Sequence, residues 1–347
     1  MKILFITPSL YPTGPVKVFL TLATRLREKG QEVFFWYFDE LENVNDERGE
    51  KIQFNKFKDA SGFDIVQSVG LRPDLYVRRF HKKFKCPTVT TMENYVEEDL
   101  KFEYNTIISK FFSPVWKFGT KKHDGFVTLQ NHMKDYYNRK WGVKSSDVIA
   151  NCSEVKVEPA IKNIENRILE HKRTNILLGS IGYVTERKGL RQVVKLLNLR
   201  EDFYWVHFGG GKSLESTKKM ANDLGVEERV LFLGKVPNAS SYLKLLDVFV
   251  MPSYSEGMPL SMLEAVMQKI PCVSTNIDLF KSIFSNEESG QFEPDNIEMF
   301  SEEIDRVLES KKSFIEKSFL KYNNEYSPDV VSNKYIELYK RLINEQK

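Results

Sequence analysis

Lys2-Ile3-Leu4-Phe5-Ile6-Thr7-Pro8 is a short apolar run, stopped by the breaker stretch Tyr11-Pro12-Thr13-Gly14-Pro15. Val18, Phe19, Leu22, Ala23 and Leu26 then recur at three and four spacing until Gly30, the pattern of a helix with one apolar face. Residues 32–38 form a second strand-like run. Strand, turn, helix and strand in this order predict two parallel strands joined by a crossover helix. Residues 64–68, 88–92 and 125–129 read as further short buried strands. The first run is too short, and too soon broken by Pro8, for a signal peptide.

The pattern restarts at Asn175. Residues 176–181 read as a strand, Gly182 to Gly189 as a turn and 190–197 as a helix; 205–208 is a strand ending in Gly209-Gly210-Gly211. Helix at 218–224, strands at 230–232 and 248–251, helix at 259–267 and a last strand at 272–274 complete a second doubly wound α/β domain. Residues 152–174, with Pro159, are polar and read as a linker carrying a helix at 161–171. Ser327-Pro328 opens a final helix whose stripe is Val331, Tyr335, Leu338, Tyr339 and Leu342. The expected domains are 1–155 with the returning helix 328–347, and 172–327. Open α/β sheets bind ligands at their strand C-termini, so a cleft where the two domains face each other is the expected site.

A chain of 347 residues suits two domains, and 41% hydrophobic with 29% charged residues excludes wholesale disorder. A net charge of +3 is weak support for a nucleic-acid binder, and no apolar run approaches the ~20 residues that span a bilayer. Cys86, Cys152 and Cys272 form neither a disulfide framework nor a metal pair. They read as reduced thiols of a cytoplasmic protein. The five histidines show no paired metal spacing, and neither a nucleophile elbow nor a phosphate-loop lysine motif is present. The charge is uneven. Residues 72–144 hold 15 basic and 8 acidic residues and are rich in Phe, Tyr and Trp. Within them, Arg78-Arg79-Phe80-His81-Lys82-Lys83-Phe84-Lys85 and the aromatic, lysine-bearing residues 107–122 suit an anionic membrane surface. The same stretch suits an internal helix with solvated lysines.

The chemistry concentrates in Ser253-Tyr254-Ser255-Glu256-Gly257-Met258-Pro259-Leu260-Ser261-Met262-Leu263-Glu264-Ala265, after a strand and into a helix. Gly257 permits a tight turn, and the amides from Met258 to about Ser261 would face an anion at the helix N-terminus. Glu264 lies eight residues beyond Glu256, about two turns on. Two carboxylates so placed suit the hydroxyls of a sugar and a ribose at the two ends of one ligand. On spacing alone they also read as a capping carboxylate and a solvated helix glutamate.

This segment resembles the signature of the retaining glycosyltransferases of family 4, which have the GT-B fold, and the resemblance runs through nearly the whole chain. It implies Glu256 on the donor sugar, Glu264 on the ribose, and the backbone of Gly257, Met258, Pro259 and Leu260 on the diphosphate. Gly182 to Gly189 resembles the family's Gly-Arg-Leu-x-x-x-Lys-Gly turn, with Lys188 at the lysine that neutralises the leaving diphosphate and Tyr183 where the arginine stands. Either Lys188 acts alone, or Arg187 or another cation substitutes. Gly14 falls near the donor phosphates, with Pro15 in place of a second glycine. Glu93 falls at the histidine of a His-Asp strand end, where it would bind a hydroxyl, act on the acceptor, or sit on the surface as a plain carboxylate. Gly209 resembles the glycine turn beside the donor, and Val236 a backbone contact to the nucleobase.

The resemblance implies transfer of a sugar from a nucleotide sugar, a UDP sugar by family frequency, to a glycan or lipid-linked glycan in cell-surface polysaccharide synthesis. Neither metal nor cofactor is expected, nor nucleic acid as partner. The rival readings are a non-catalytic partner subunit of another transferase and a nucleotide-sugar epimerase.

Overall fold

The computed structural model describes residues 1–11, 14–40, 48–155, 160–172 and 175–346. Pro12 and Thr13 of the first breaker stretch and Pro159 of the expected linker lie outside the described residues. The chain divides into two units, 1–152 with 325–347, and 153–324.

The first unit begins β1 (Lys2–Ser9), α1 (Gly14–Glu28), β2 (Glu32–Asp39), β3 (Gly49–Lys51), β4 (Ile65–Val69) and α2 (Leu71–Phe80). It continues β5 (Thr88–Met92), α3 (Val96–Glu103), α4 (Thr106–Thr120), β6 (Gly125–Thr128), α5 (Asn131–Trp141) and β7 (Asp147–Val148). The strands make one parallel sheet ordered β3-β2-β1-β4-β5-β6-β7. Ile3, Leu4, Phe5 and Ile6 are all fully buried. That is why β1 is a continuous apolar run rather than an alternating one: parallel central strands are covered on both faces. Val18, Phe19, Leu22, Ala23 and Leu26 form the buried face of α1, as their spacing predicts.

The second unit runs α6 (Lys162–Lys172), β8 (Ile176–Ile181), α7 (Arg191–Leu199), β9 (Phe203–Phe208), α8 (Leu214–Asp223), β10 (Val230–Gly234) and β11 (Val248–Met251). Then come α9 (Leu260–Met267), β12 (Cys272–Thr275), α10 (Asp278–Ile283), β13 (Gly290–Phe292), α11 (Ile297–Glu309) and α12 (Lys311–Lys321). Its parallel sheet is ordered β10-β9-β8-β11-β12-β13. The strand at 272–275 is therefore not the last, because β13 pairs beside it. The helix in the expected linker belongs to this unit. Ile161 N–H donates to Tyr242 Oη at 2.9 Å, and Lys172 pairs with Asp247 at 2.7 Å.

Finally α13 (Pro328–Gln346) returns to the first unit. Its stripe of Val331, Tyr335, Leu338, Tyr339 and Leu342 is buried in one cluster with Phe5, Phe19, Leu22 and Val127. Among the described residues, no helix is long and apolar enough to cross a membrane.

Candidate active site

In the second sheet the strand order reverses between β8 and β11, which are neighbours. Such a switch point opens the chain to a ligand beyond the strand C-termini. Two turns emerge there. One follows β8, from Gly182 through a 3-10 turn at Glu186–Lys188 to Gly189. The other follows β11, from Pro252 to the start of α9.

Backbone and buried polar contacts bind these turns together. Tyr254 N–H donates to the Arg187 carbonyl at 2.8 Å, and Gln192 Nε2 donates to the Pro252 carbonyl at 2.7 Å. Gly189 has φ 62°, and a Cβ there would lie 2.0 Å from the Pro252 oxygen, so only glycine fits. The result sets Lys188 against Glu256. Lys188 Nζ reaches Glu256 Oε1 at 2.5 Å, and Ser253 Oγ donates to the same oxygen at 2.8 Å. Arg187 Nη1 lies 3.5 Å from Glu256 Oε2 and donates to the Ser255 carbonyl at 2.8 Å. Glu256 is buried, and two cations flank it. The Tyr183 ring, at the expected arginine position, is instead 61% exposed.

Glu264 is also buried, on α9, and its Oε1 accepts from Ser153 Oγ at 2.9 Å. Tyr322 Oη in turn donates to the Ser153 carbonyl at 2.7 Å. The expected helix start moves by one residue: α9 begins at Leu260, with Pro259 as its cap. The Leu260 amide donates to the Met258 carbonyl at 3.0 Å, and Pro259 has no amide to offer.

A buried relay fixes the floor of this turn. Trp205 Nε1 donates to Ser180 Oγ at 3.0 Å, and Ser180 Oγ lies 2.8 Å from His207 Nδ1. The Ser180 proton then serves Nδ1, which leaves the Nε2 proton for the Gly182 carbonyl at 3.1 Å. Burial pushes the His207 imidazole down to about 4, with Lys188 adding to the effect, so the ring is neutral and the tautomer fixed. Gly209 packs on the same carbonyl; a Cβ there would sit 1.9 Å from the Gly182 oxygen. Its amide donates to the Gly234 carbonyl at 2.8 Å, and half-buried Val236 lies just past that contact. Gly182, Tyr183, Lys188, His207 and Ser253 line a small cavity here.

The other two expected residues belong to the first unit. Gly14 is the exposed first residue of α1 rather than part of a loop, and a Cβ on it would meet nothing within 4 Å. Glu93, at the end of β5, is not a plain surface carboxylate. Asn151 Nδ2 donates to its Oε2, while Oε1 and Asn151 Oδ1 are enclosed without a partner. Burial pushes this carboxyl up to about 7, against the lowering effect of the Asn151 bond.

Residues 161–323 match the family model described as glycosyl transferases group 1. The chain is a glycosyltransferase, and over that stretch it is similar to the group 1 family. The transferase is 27% identical to the O-antigen biosynthesis glycosyltransferase WclY of Escherichia coli, over 99% of both chains. It is 29% identical to the UDP-Gal:alpha-D-GlcNAc-diphosphoundecaprenol alpha-1,3-galactosyltransferase of E. coli, over 75% of this chain and 70% of that one. Its fold, GT-B, is that of Anabaena Alr3699/HepE in complex with UDP-glucose: TM-score 0.80 at 13% identity, covering 99% of this chain and 100% of that one. Sequence reasoning about this transferase missed Ser253, Ser153 and Asn151, none of which stands out by type or spacing. Arg187 was one of several options, and the structure puts its guanidinium on the Glu256 side of the turn.

Proposed function

We propose that this glycosyltransferase is a retaining, family 4 enzyme that moves a sugar from a UDP sugar to a glycan or lipid-linked glycan in cell-surface polysaccharide synthesis. What supports it is the Lys188–Glu256 pair beneath the Gly182 turn, with Arg187 on the other carboxylate oxygen. Cleaving a sugar–diphosphate bond leaves negative charge on phosphate, and a cation fixed where that charge appears lowers the barrier. An ammonium has three donors, so Lys188 can hold Glu256 and a phosphate oxygen together. Arg187 supplies the second positive charge that Tyr183 cannot.

In this reading Glu256 takes donor-sugar hydroxyls and Glu264 the ribose. The Gly257–Ser261 amides that are not spent within the turn, with Gly182, Gly209 and Val236, cradle the rest of the nucleotide. Glu93 serves the acceptor side as a carboxyl able to lose or hold a proton near neutrality. The departing phosphate accepts the acceptor's hydroxyl proton on the face it leaves, which keeps the anomeric configuration. Catalysis is then positioning plus electrostatics. The two cations replace a divalent metal, so chelator leaves turnover unchanged; no nucleic acid takes part. WclY and the diphosphoundecaprenol galactosyltransferase, by name, act in O-antigen synthesis and on a lipid diphosphate. By that likeness the enzyme works in the cytoplasm, at the inner face of the membrane that carries its acceptor.

The test is a nucleotide-sugar screen by thermal shift, followed by a product assay. Lys188→Ala is expected to cut kcat by about 10²–10³-fold, the scale of one lost charge-stabilising donor. Arg187→Ala should cost less, and Glu256→Ala should abolish donor binding. Full turnover by Lys188→Ala, or no shift with any nucleotide sugar, sinks the reading.

A further inference from the structure

Helix α4 faces the wrong way for a helix of a globular protein. Ile107, Phe111, Pro114 and Phe118 recur at four, three and four spacing, a single stripe along one side. Ile107 is 80% exposed, Phe111 74% and Phe118 51%. The opposite stripe, which carries Ser109, Ser113, Trp116 and Thr120, turns inward.

The inward side is fixed by polar contacts. Ser109 Oγ donates to the Glu97 carbonyl at 2.5 Å, and Trp116 Nε1 donates to Asp74 Oδ2 at 2.8 Å. Asp74 is fully buried and also accepts from Ser68 Oγ and Thr90 Oγ1. Gly119 packs against Leu75 of α2, where a Cβ would already touch the leucine at 3.4 Å. The helix cannot roll to hide its apolar stripe without breaking this buried network.

We propose that the α3–α4 hairpin is a docking surface for an anionic lipid bilayer. Phe102 and Tyr104, both more than half exposed, extend the apolar stripe, and Phe112 widens it. Residues 104–123 contain four lysines and neither Asp nor Glu. Rings that insert at the acyl boundary, flanked by cations long enough to reach headgroups, are the chemistry of interfacial binding. Beside the stripe lies a groove of about 380 Å³ lined by Phe54, Leu75, Arg78, Arg79, His81 and Phe118. The Arg78 guanidinium rests 4.4 Å over the Phe118 ring, so phosphate-binding charge is continuous with the apolar surface. The expected role of residues 78–85 changes accordingly: Phe84 is buried, and Phe80 packs on Phe57 and Tyr76. Only their cations face out. A second copy of the chain fits this surface poorly, because lysines would meet lysines.

The proposal deepens the membrane reading above, yet stands on this surface alone. A transferase found to act only on a water-soluble glycan would still bind vesicles. The experiment is flotation of the full chain with phosphatidylcholine vesicles, with and without 30% phosphatidylglycerol, at low and high salt, about 30% being ample anionic charge. Binding to anionic vesicles that weakens in salt is expected. Ile107→Ser with Phe111→Ser should weaken it at least tenfold without moving the melting temperature. Lys110→Glu with Lys121→Glu and Lys122→Glu, which leaves the rings in place, should do the same. Leu320→Ser, an exposed apolar site on α12, should bind as the parent does. No flotation at low salt overturns the proposal. So does undiminished flotation by both multiple variants, or concentration-dependent self-association that the serine variant removes while vesicle binding stays absent.

Discussion

At Glu93 a carboxyl with one satisfied oxygen and one enclosed oxygen sits beside an amide in the same condition. Its proton is held more tightly in the folded chain, at about 7 against 4.5 for the ordinary group. Below about pH 4.5 the group is protonated in both states and costs nothing. As pH rises toward 7 the unfolded chain ionises first, so the folded state loses stability, and the loss is complete above 7. Glu93→Gln removes the charge and supplies the donor that Asn151 Oδ1 lacks. The variant is expected to melt higher than the parent at pH 8, by up to about 3 kcal/mol, and equally at about pH 3, well below both values. Comparing the two proteins at each pH cancels His123 and His207, whose imidazoles burial depresses to about 4 and whose effect has the opposite sign. None of this is legible in Thr90-Thr91-Met92-Glu93-Asn94, because the enclosing amide lies 58 positions away. Glu256 and Lys188, by contrast, stood out by type and spacing. What stayed hidden was that Ser253 and Arg187 share the same carboxylate.

Among the elements, the central strands were plain in the sequence, because burial on both faces demands uninterrupted apolar runs, as in β1, β8 and β11. The short strands β3, β7 and β13 were not. Gly49–Lys51 becomes a strand only through pairing with Phe35, Trp36 and Tyr37, and Asp147–Val148 only through Val127 and Thr128. Helix α4 was legible as amphipathic but ambiguous in direction, since the anchor that turns it, Asp74, lies on α2. The turn between β8 and α7 is testable as a unit. Gly189→Ala must displace the Pro252 carbonyl, and is expected to cost roughly 2 kcal/mol or more and to separate Lys188 from Glu256. Calorimetry reads the first effect. The product assay reads the second, as a kcat loss approaching that of Lys188→Ala.

Each unit of the molecule has its own apolar cluster, with Phe5, Phe19 and Tyr339 in one and Trp205, Val250 and Phe292 in the other. Heating is therefore expected to give two transitions rather than one. UDP at a hundred times its Kd should raise only the transition of the second unit, by about 2.7 kcal/mol. Gly189→Ala, by lowering the same transition, assigns it. A shift of the other transition alone would remove the nucleotide from the β8–β11 switch point. The return of α13 to the first sheet also bears on biosynthesis. Every residue from 153 to 324 is polymerised before that helix exists. Until then Phe19, Leu22 and Val127 lack their roof. The half made first is thus the half finished last, and chaperones that guard newly made chains have a defined apolar surface to cover in the interval.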